Sequence, residues 1–407
     1  MAVIAVLGTL DTKGQEHQFV AECIKARGHD VLLIDVGSGA PASIKPDVTR
    51  EEVAQSAGLD WASLSARHDR GECVSAMSQA AQQFLKRLAD QRRVDGVISL
   101  GGGGGTAIAT AAMRSLPVGF PKVMVSTLAS GNTAHYIGTK DIVMFPSVVD
   151  VAGLNRVSRR VFTQAAGAIC GMVETELDVS SAKPLIAASM FGNTTECIDH
   201  AIPILEQAGY EVLVFHATGT GGQAMESLVR DALVDGVLDV TTTEWADELL
   251  GGVLSAGPGR LDAAADANIP AVVVPGCLDM ANFGERESLP TKFEGRNIYI
   301  HNPQVTLVRT NADECRELGR IVAEKVNRYS APVTVLIPLQ GISVISAAGQ
   351  PFYDPVADTA LFDSLAEHLS PTIPIKHIDA NINDAVFAEA CAQTLVQNIR
   401  SYQSSAV

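Results

Sequence analysis

Five consecutive glycines, Gly101–Gly105, lie between an apolar run, Val94–Leu100, and an alanine-rich run, Thr106–Met113. A turn without side chains lets a ligand reach bare backbone. A helix that starts there aims its free N–H groups and the positive end of its dipole into the same space. Phosphate or carboxylate is bound in this way without a charged side chain. The run contains Gly102-x-Gly104-x-x-Ala107, but Lys122 stands about where a dinucleotide fold places the acidic residue for the ribose hydroxyl. No Gly-Lys-Ser/Thr sequence follows the glycines. The run therefore reads as a general phosphate cradle, neither an ordinary dinucleotide fingerprint nor a P-loop.

Other polar residues sit where strands end. Thr9, Asp11 and Lys13 follow the first apolar run, and Thr127, Ser130 and Asn132 follow a later one. In a doubly wound sheet such ends converge on one crevice. Thr9, Thr127, Ser130 and Asn132 offer hydrogen bonds there, and Lys13 a cation. Asp11 or Asp35 suits a ribose hydroxyl or a metal. Asp11 and Thr12 equally suit a helix cap, and Lys13 a solvated helix face. Lys140, beside Asp141, fits the same anion or a surface ion pair. In the second half, Glu244, Asp279 and His301 form a candidate acid/base set. Arg260, Arg296 and Arg309 suit carboxylate or phosphate contacts. The acids serve equally as caps and the histidine as a loop residue. Gly219-Thr220-Gly221-Gly222 resembles a second anion turn. Cys277 reads as a buried, inert thiol.

The elements that must hold these residues follow a regular plan. Strand-like runs at Val3–Leu7, Val31–Asp35, Gly96–Leu100 and Lys122–Ser126 alternate with helical patterns at Lys13–Ala26, Arg50–Ala57, Gly71–Ala89 and Thr106–Met113. The second half has strands at Leu185–Ser189, Val212–Phe215, Gly236–Asp239 and Ala271–Val274, with helices at Thr195–Gln207, Gln223–Asp231 and Trp245–Leu250. Such alternation predicts parallel sheet covered by helices on both faces. The halves also share text: Val94-Asp95-Gly96-Val97-Ile98 matches Val234-Asp235-Gly236-Val237-Leu238, and Pro121–Val125 matches Pro270–Val274. The fold class is α/β, with two Rossmann-like parallel-sheet domains related by internal duplication, residues 1–180 and 181–407. Residues around 40–70 are an insertion in the first. From Ala331 the chain adds a strand at Val333–Pro338, a Gly-rich turn and a helix, and a final helix starts at Asp384.

Composition sets the outer bounds. The chain has 407 residues, 47% of them hydrophobic and 19% charged, which marks a globular protein with a sizeable core. A formal net charge of −16 repels DNA, RNA and anionic membranes. No apolar run reaches the roughly 18–20 residues of a membrane span. Met1–Leu7 reads as a first buried strand, not a signal peptide. The seven cysteines are scattered without a Cys-x-x-Cys pair, so neither a disulfide framework nor a zinc knuckle is expected, and the expected location is cytoplasmic.

Leu7-Gly8-Thr9-Leu10-Asp11-Thr12-Lys13-Gly14, the glycine run, Ser130-Gly131-Asn132, Gly138-Thr139-Lys140-Asp141, Ser147–Asn155, Gly257-Pro258-Gly259-Arg260 and His301-Asn302-Pro303 are distinctive together. Through them nearly the whole chain resembles the family of the ATP-binding domain of the tomato mosaic virus resistance protein and its bacterial relatives. The resemblance implies two Rossmann-like subdomains, ATP with Mg²⁺ in the N-terminal one, and a homodimer. It does not extend to the plant protein's antiviral role. The first reading is an ATP-binding protein. Its phosphates lie on Gly101, Gly102, Gly103, Gly104, Gly105 and Thr106, its site is completed by Thr9, Asp11, Lys13, Thr127, Ser130 and Asn132, and the site faces an interdomain cleft. The alternatives are an enzyme acting on a small carboxylate or acyl substrate through Glu244, Asp279, His301 and Arg309, or a binding protein without turnover.

Overall fold

The structure, a computed structural model, describes residues 1–176 and 183–405. The chain divides into two compact units, Met1–Val179 and Ser180–Val407. The expected junction at 180/181 lies outside the described residues.

The N-terminal unit has five strands: β1 Val3–Gly8, β2 Asp30–Asp35, β3 Gly96–Gly101, β4 Lys122–Ser126 and β5 Val143–Pro146. Its helices are α1 Leu10–Lys25, α2 Arg50–Ser56, α3 Trp61–Ser65, α4 Arg70–Asp90, α5 Gly103–Arg114, α6 Ala134–Ile137 and α7 Arg156–Glu174. The sheet is parallel throughout, in the order β2-β1-β3-β4-β5. Successive strand residues face opposite sides, and the core divides accordingly. Ala5, Leu7, Val97 and Met124 pack under Met77, Phe84, Leu85, Ile108 and Ala112 of α4 and α5. Ile4, Val6, Ile98, Val123 and Val125 pack under Val20, Ile24, Phe162 and Ile169 of α1 and α7. The predicted insertion forms the short helices α2 and α3.

The C-terminal unit repeats the plan. Its strands are β6 Leu185–Met190, β7 Glu211–His216, β8 Gly236–Thr241, β9 Ala271–Gly276, β10 Met280–Phe283, β11 Ile298–Asn302, β12 Val305–Arg309, β13 Val333–Pro338 and β14 Ile375–Ile378. Its helices are α8 Thr195–Gln207, α9 Thr220–Arg230, α10 Glu244–Leu250, α11 Ala263–Asp266, α12 Ala312–Val326, α13 Pro355–His368 and α14 Ala385–Ser405. The main sheet runs β14-β13-β9-β8-β6-β7, so β7-β6-β8-β9 reproduces β2-β1-β3-β4. The duplication extends to single hydrogen bonds. Asp95 Oδ2 accepts from Val3 N at 2.7 Å, and its counterpart Asp235 Oδ2 accepts from Leu185 N at 2.7 Å. Gly96 lies under Ile169 and Val173 of α7, and Gly236 under Leu395 and Ile399 of α14, each too close for a Cβ.

Two expectations are corrected. Residues 280–309, for which no element was expected from sequence, form a separate antiparallel sheet, β10-β12-β11. The helix expected from Thr106 begins at Gly103, so three of the five glycines are helical. Among the described residues no helix is long and apolar enough to cross a membrane.

Candidate functional site

The strand order of the N-terminal sheet reverses between β1 and β3, and ligands of such sheets bind beyond the carboxyl ends of strands at that point. A cleft of about 890 Å³ opens there. Its wall takes Thr9, Asp11, Thr12 and Lys13 from the end of β1, Ser38–Ala40 from beyond β2, Ser65, Ala66, His68 and Asp69 from the end of α3 and the turn after it, Arg70, Cys73 and Val74 from α4, and Gly102–Gly105 with Ile108 from α5 and its N-cap.

The glycines divide by what they do. A Cβ on Gly101 would stand 3.0 Å from the backbone of Gly105 and Thr106, so this glycine permits the tight passage from β3 into α5. Gly102 is the N-cap and supplies no side-chain cap. A Cβ on Gly103 would meet nothing within 4 Å, and on Gly102, Gly104 or Gly105 it would make only ordinary contacts of 3.7–3.8 Å. None of the five has a positive φ. The fold itself thus requires no glycine at positions 102–105, although ordering glycine in a helix costs about 0.5–1 kcal/mol each relative to Ala. The amides of Gly103, Gly104 and Gly105 have no acceptor among the described residues, and Gly103 is exposed. They leave the first turn of α5 with unsatisfied amides at the cleft wall.

The remaining N-terminal candidates fall in several places. Thr9 lines the cleft half-buried, and its carbonyl accepts from Thr12 N and Lys13 N at 3.2 and 2.9 Å. Asp11 Oδ2 accepts from Gly39 N at 2.8 Å, tying the β2 loop to the β1 end. Lys13 interrupts α1 with φ −132°, and its ammonium donates to the carbonyl of Val151. Behind this break His17 is fully buried. Its Nδ1 lies 2.7 Å from Lys13 O and its Nε2 accepts from Leu100 N at 3.3 Å, so it joins α1 to the strand before the glycines. Burial pushes its pKa down to about 4. Asp35 is committed: it accepts from Leu10 N, Gly37 N and Arg50 Nε at 2.8–3.1 Å. Thr106 is buried, its hydroxyl 2.7 Å from Ser126 Oγ. Thr127 and Ser130 line a neighbouring hollow of about 500 Å³ with Ser147–Asp150. Asn132 is exposed and accepts from Ala134 N at 3.1 Å. Asp141 pairs with the buried Lys122 at 2.7 Å.

The sequence reading omitted His68, Asp69 and Arg70. They lie in the segment taken as an insertion, where no apolar periodicity aims a residue at the crevice. The usable signal was the Asp69-Arg70 cap at the start of a predicted helix: Asp69 Oδ1 accepts from Glu72 N at 3.0 Å.

In the C-terminal unit Glu244 is 1% exposed. Its Oε1 accepts from Gly219 N at 2.7 Å and Gly222 N at 3.1 Å, and its Oε2 from Arg260 Nε at 2.6 Å. Arg260 also pairs with Asp239 and Glu226. The second anion turn is therefore filled by the protein's own carboxylate. Asp279 is fully buried in a different cluster, accepting from Ser343 Oγ at 2.8 Å, while its Oδ1 has no partner among the described residues. Burial raises its pKa against the opposing charge of Arg309. Arg309 pairs with Asp358 at 2.5 Å and donates to Phe352 O at 2.8 Å. His301 is exposed on β11, its ring 6.4 Å from that of Tyr299. No hydrogen bond or ion pair among the described residues joins these four into one acid/base set. Cys277 is buried, with its thiol pKa raised well above the ordinary value by burial.

The chain matches the N-terminal domain of the Uncharacterised protein family (UPF0261) over residues 2–178 and its C-terminal domain over residues 183–399. It belongs to the UPF0261 family. A UPF0261 protein of Clostridium tetani is 48% identical over 395 residues, which is 97% of this chain and 98% of that protein. One from Rhizobium meliloti is 45% identical over 96% of this chain and 97% of its own length. The ToMV resistance protein Tm-1(GCR237) of Solanum lycopersicum is 40% identical over 96% of this chain, a match that takes in 55% of the tomato protein. The UPF0261 membership agrees with the resemblance carried by the motifs. Among solved structures, MurG of Acinetobacter baumannii is 14% identical with 99% of each chain covered, at a TM-score of 0.23 too low to bear on fold or function.

Proposed function

We propose that this UPF0261 chain binds ATP in the switch-point cleft of its N-terminal unit, with the phosphates on the first turn of α5. The observation that carries the reading is the set of glycines at 102–105 that the fold does not require, lining a cleft with unsatisfied helix amides. Thr9 supplies a hydroxyl beside them, and Ala66, Cys73, Val74 and Ile108 an apolar wall for the base. Among the described residues no group of three or more His, Cys, Asp or Glu side chains could hold a metal. Mg²⁺ commonly binds through one or two carboxylates with substrate phosphates. Asp11 fits that role, one oxygen already orienting Gly39. Mg²⁺ there would neutralise phosphate charge.

Ligand-linked stability tests the reading. With a dissociation constant on the order of 100 µM, millimolar Mg-ATP stabilises the folded unit by about 1–2 kcal/mol and raises the melting temperature. Gly103→Leu, whose side chain enters open space, abolishes that rise while the protein remains folded. Absence of any shift for the unaltered protein at millimolar Mg-ATP defeats the proposal. An acyl or carboxylate enzyme built on Glu244, Asp279 and Arg309 draws no support from their burial in separate ion networks.

A further inference from the structure

Arg70 stands where a cation is least welcome. It is the first residue of α4, so it sits at the positive end of its own helix. Its Nη2 lies 3.8 Å from the Cβ position of Gly104, over the bare first turn of α5 and a second positive helix end. No hydrogen-bond or ion-pair partner of its side chain occurs among the described residues: the adjacent N-cap Asp69 accepts from Glu72 N, and Glu72 pairs with Arg67. The other cleft cation, Lys13, donates to Val151 O. The approach to Arg70 is also shaped: His68, on the cleft wall, holds a left-handed conformation with φ 55° although it is not glycine. The uncapped amide end of α5 and an unpaired guanidinium facing one space make a site for an anion.

The C-terminal unit contains the filled form of this arrangement. At the start of α9 the amides of Gly219 and Gly222 hold one oxygen of the Glu244 carboxylate, and Arg260 Nε holds the other at 2.6 Å. Backbone amides on one side and a guanidinium on the other close on a single anionic group. At the start of α5 the amides and Arg70 are present, and among the described residues no carboxylate bonds to either, although Asp11 and Asp69 line the same cleft.

We infer that Arg70 is the residue that selects and holds the phosphate groups of the ligand, clamping them against the amides of Gly103, Gly104 and Gly105. The inference rests on the nucleotide reading of the same cleft and adds a residue that discriminates phosphorylated from unphosphorylated ligands. Guanidinium suits this task because its fork meets phosphate oxygens in pairs. Arg70 touches phosphate alone, so the affinity for adenosine does not depend on it.

Calorimetric titration of the full chain with ATP, adenosine and inorganic pyrophosphate tests it, comparing the unaltered protein with Arg70→Ala and Arg70→Lys. Arg70→Ala weakens ATP and pyrophosphate about 10- to 100-fold, the range of a charge-assisted hydrogen bond. Arg70→Lys recovers part of the loss, and adenosine binds all three equally. The melting temperature of the ligand-free protein does not fall, because Arg70 is exposed and unpaired. Equal ATP affinity in the unaltered protein and Arg70→Ala overturns the inference and leaves the nucleotide reading standing. Arg70-dependent pyrophosphate binding without ATP binding overturns the nucleotide reading and leaves Arg70 as an anion clamp. Binding of neither ligand by the unaltered protein overturns both.

Discussion

Gly8, buried at the end of β1, and Gly103, exposed at the cleft, answer the same substitution in opposite ways. A methyl on Gly8 would stand 2.2 Å from Nε2 of His17, a ring locked between Lys13 O and Leu100 N. Gly8→Ala therefore displaces the ring that joins α1 to β3 and lowers stability by about 2 kcal/mol or more, in the range of core overpacking. A methyl on Gly103 meets nothing. Gly103→Ala raises the stability of the ligand-free protein by about 0.5–1 kcal/mol through helix propensity. Chemical denaturation of the two variants checks both signs. A fall for Gly103→Ala would mean that the bare turn serves the fold and not a ligand.

At the scale of elements, each unit has a glycine-bearing helix start, at non-equivalent places in the repeat, whose amides need an acceptor from outside the helix. In α9 the amides are answered from inside by Glu244, which Arg260 holds in place; in α5 they are left to the cleft. Gly222→Ala brings a Cβ to 2.1 Å from Glu244 Oε2. It dislodges a buried carboxylate from its arginine, and the expected destabilisation is about 3 kcal/mol or more, opposite in sign to Gly103→Ala. Thermal unfolding with a probe in the C-terminal unit measures it; an unchanged midpoint would show that α9 does not depend on its internal anion.

For the whole molecule, the two units answer pH in opposite directions. His17 titrates near 6.5 when unfolded and at about 4 in the folded N-terminal unit, because burial disfavours its charged form. As pH falls from 6.5 toward 4 the unfolded chain takes a proton that the folded unit refuses, and stability on the order of 3 kcal/mol is lost. Asp247 in the C-terminal unit titrates near 3.8 unfolded and at about 7 folded, burial outweighing the hydrogen bonds from Asn282 and Leu254. Its contribution is complete below about pH 4 and is lost as pH rises toward 7. Amide exchange read separately in each unit at pH 5 and pH 7 shows the N-terminal unit less protected, and the C-terminal unit more protected, at the lower pH. Asp247→Asn removes the second effect. Parallel responses in both units would contradict the assignment.

How much of this was legible depended on how far apart in the chain the deciding contacts lie. Periodicity and repeated text sufficed for most strands, most helices, the duplication and the position of the glycine run between β3 and α5, because apolar alternation and glycine placement are local consequences of burying a parallel sheet. The antiparallel sheet at 280–309 was not legible, since its strands are only four or five residues long and β10 and β12 are buried on both faces, which leaves no alternation to read. Nor was the fate of the candidate acids. Glu244 and Arg260 are separated by 16 positions, and Asp279 and Ser343 by 64, so only folding shows that each pair is closed. For the same reason the sequence named Lys13 as the cation of the cleft. Tertiary structure turned Lys13 to the carbonyl of Val151, 138 residues away, and brought Arg70 from the insertion over the glycines. The sequence by itself determined where two glycine-bearing helix starts lie. The tertiary structure decided which of the two helix starts stays open to an anion, because a buried carboxylate reaches α9 and none reaches α5.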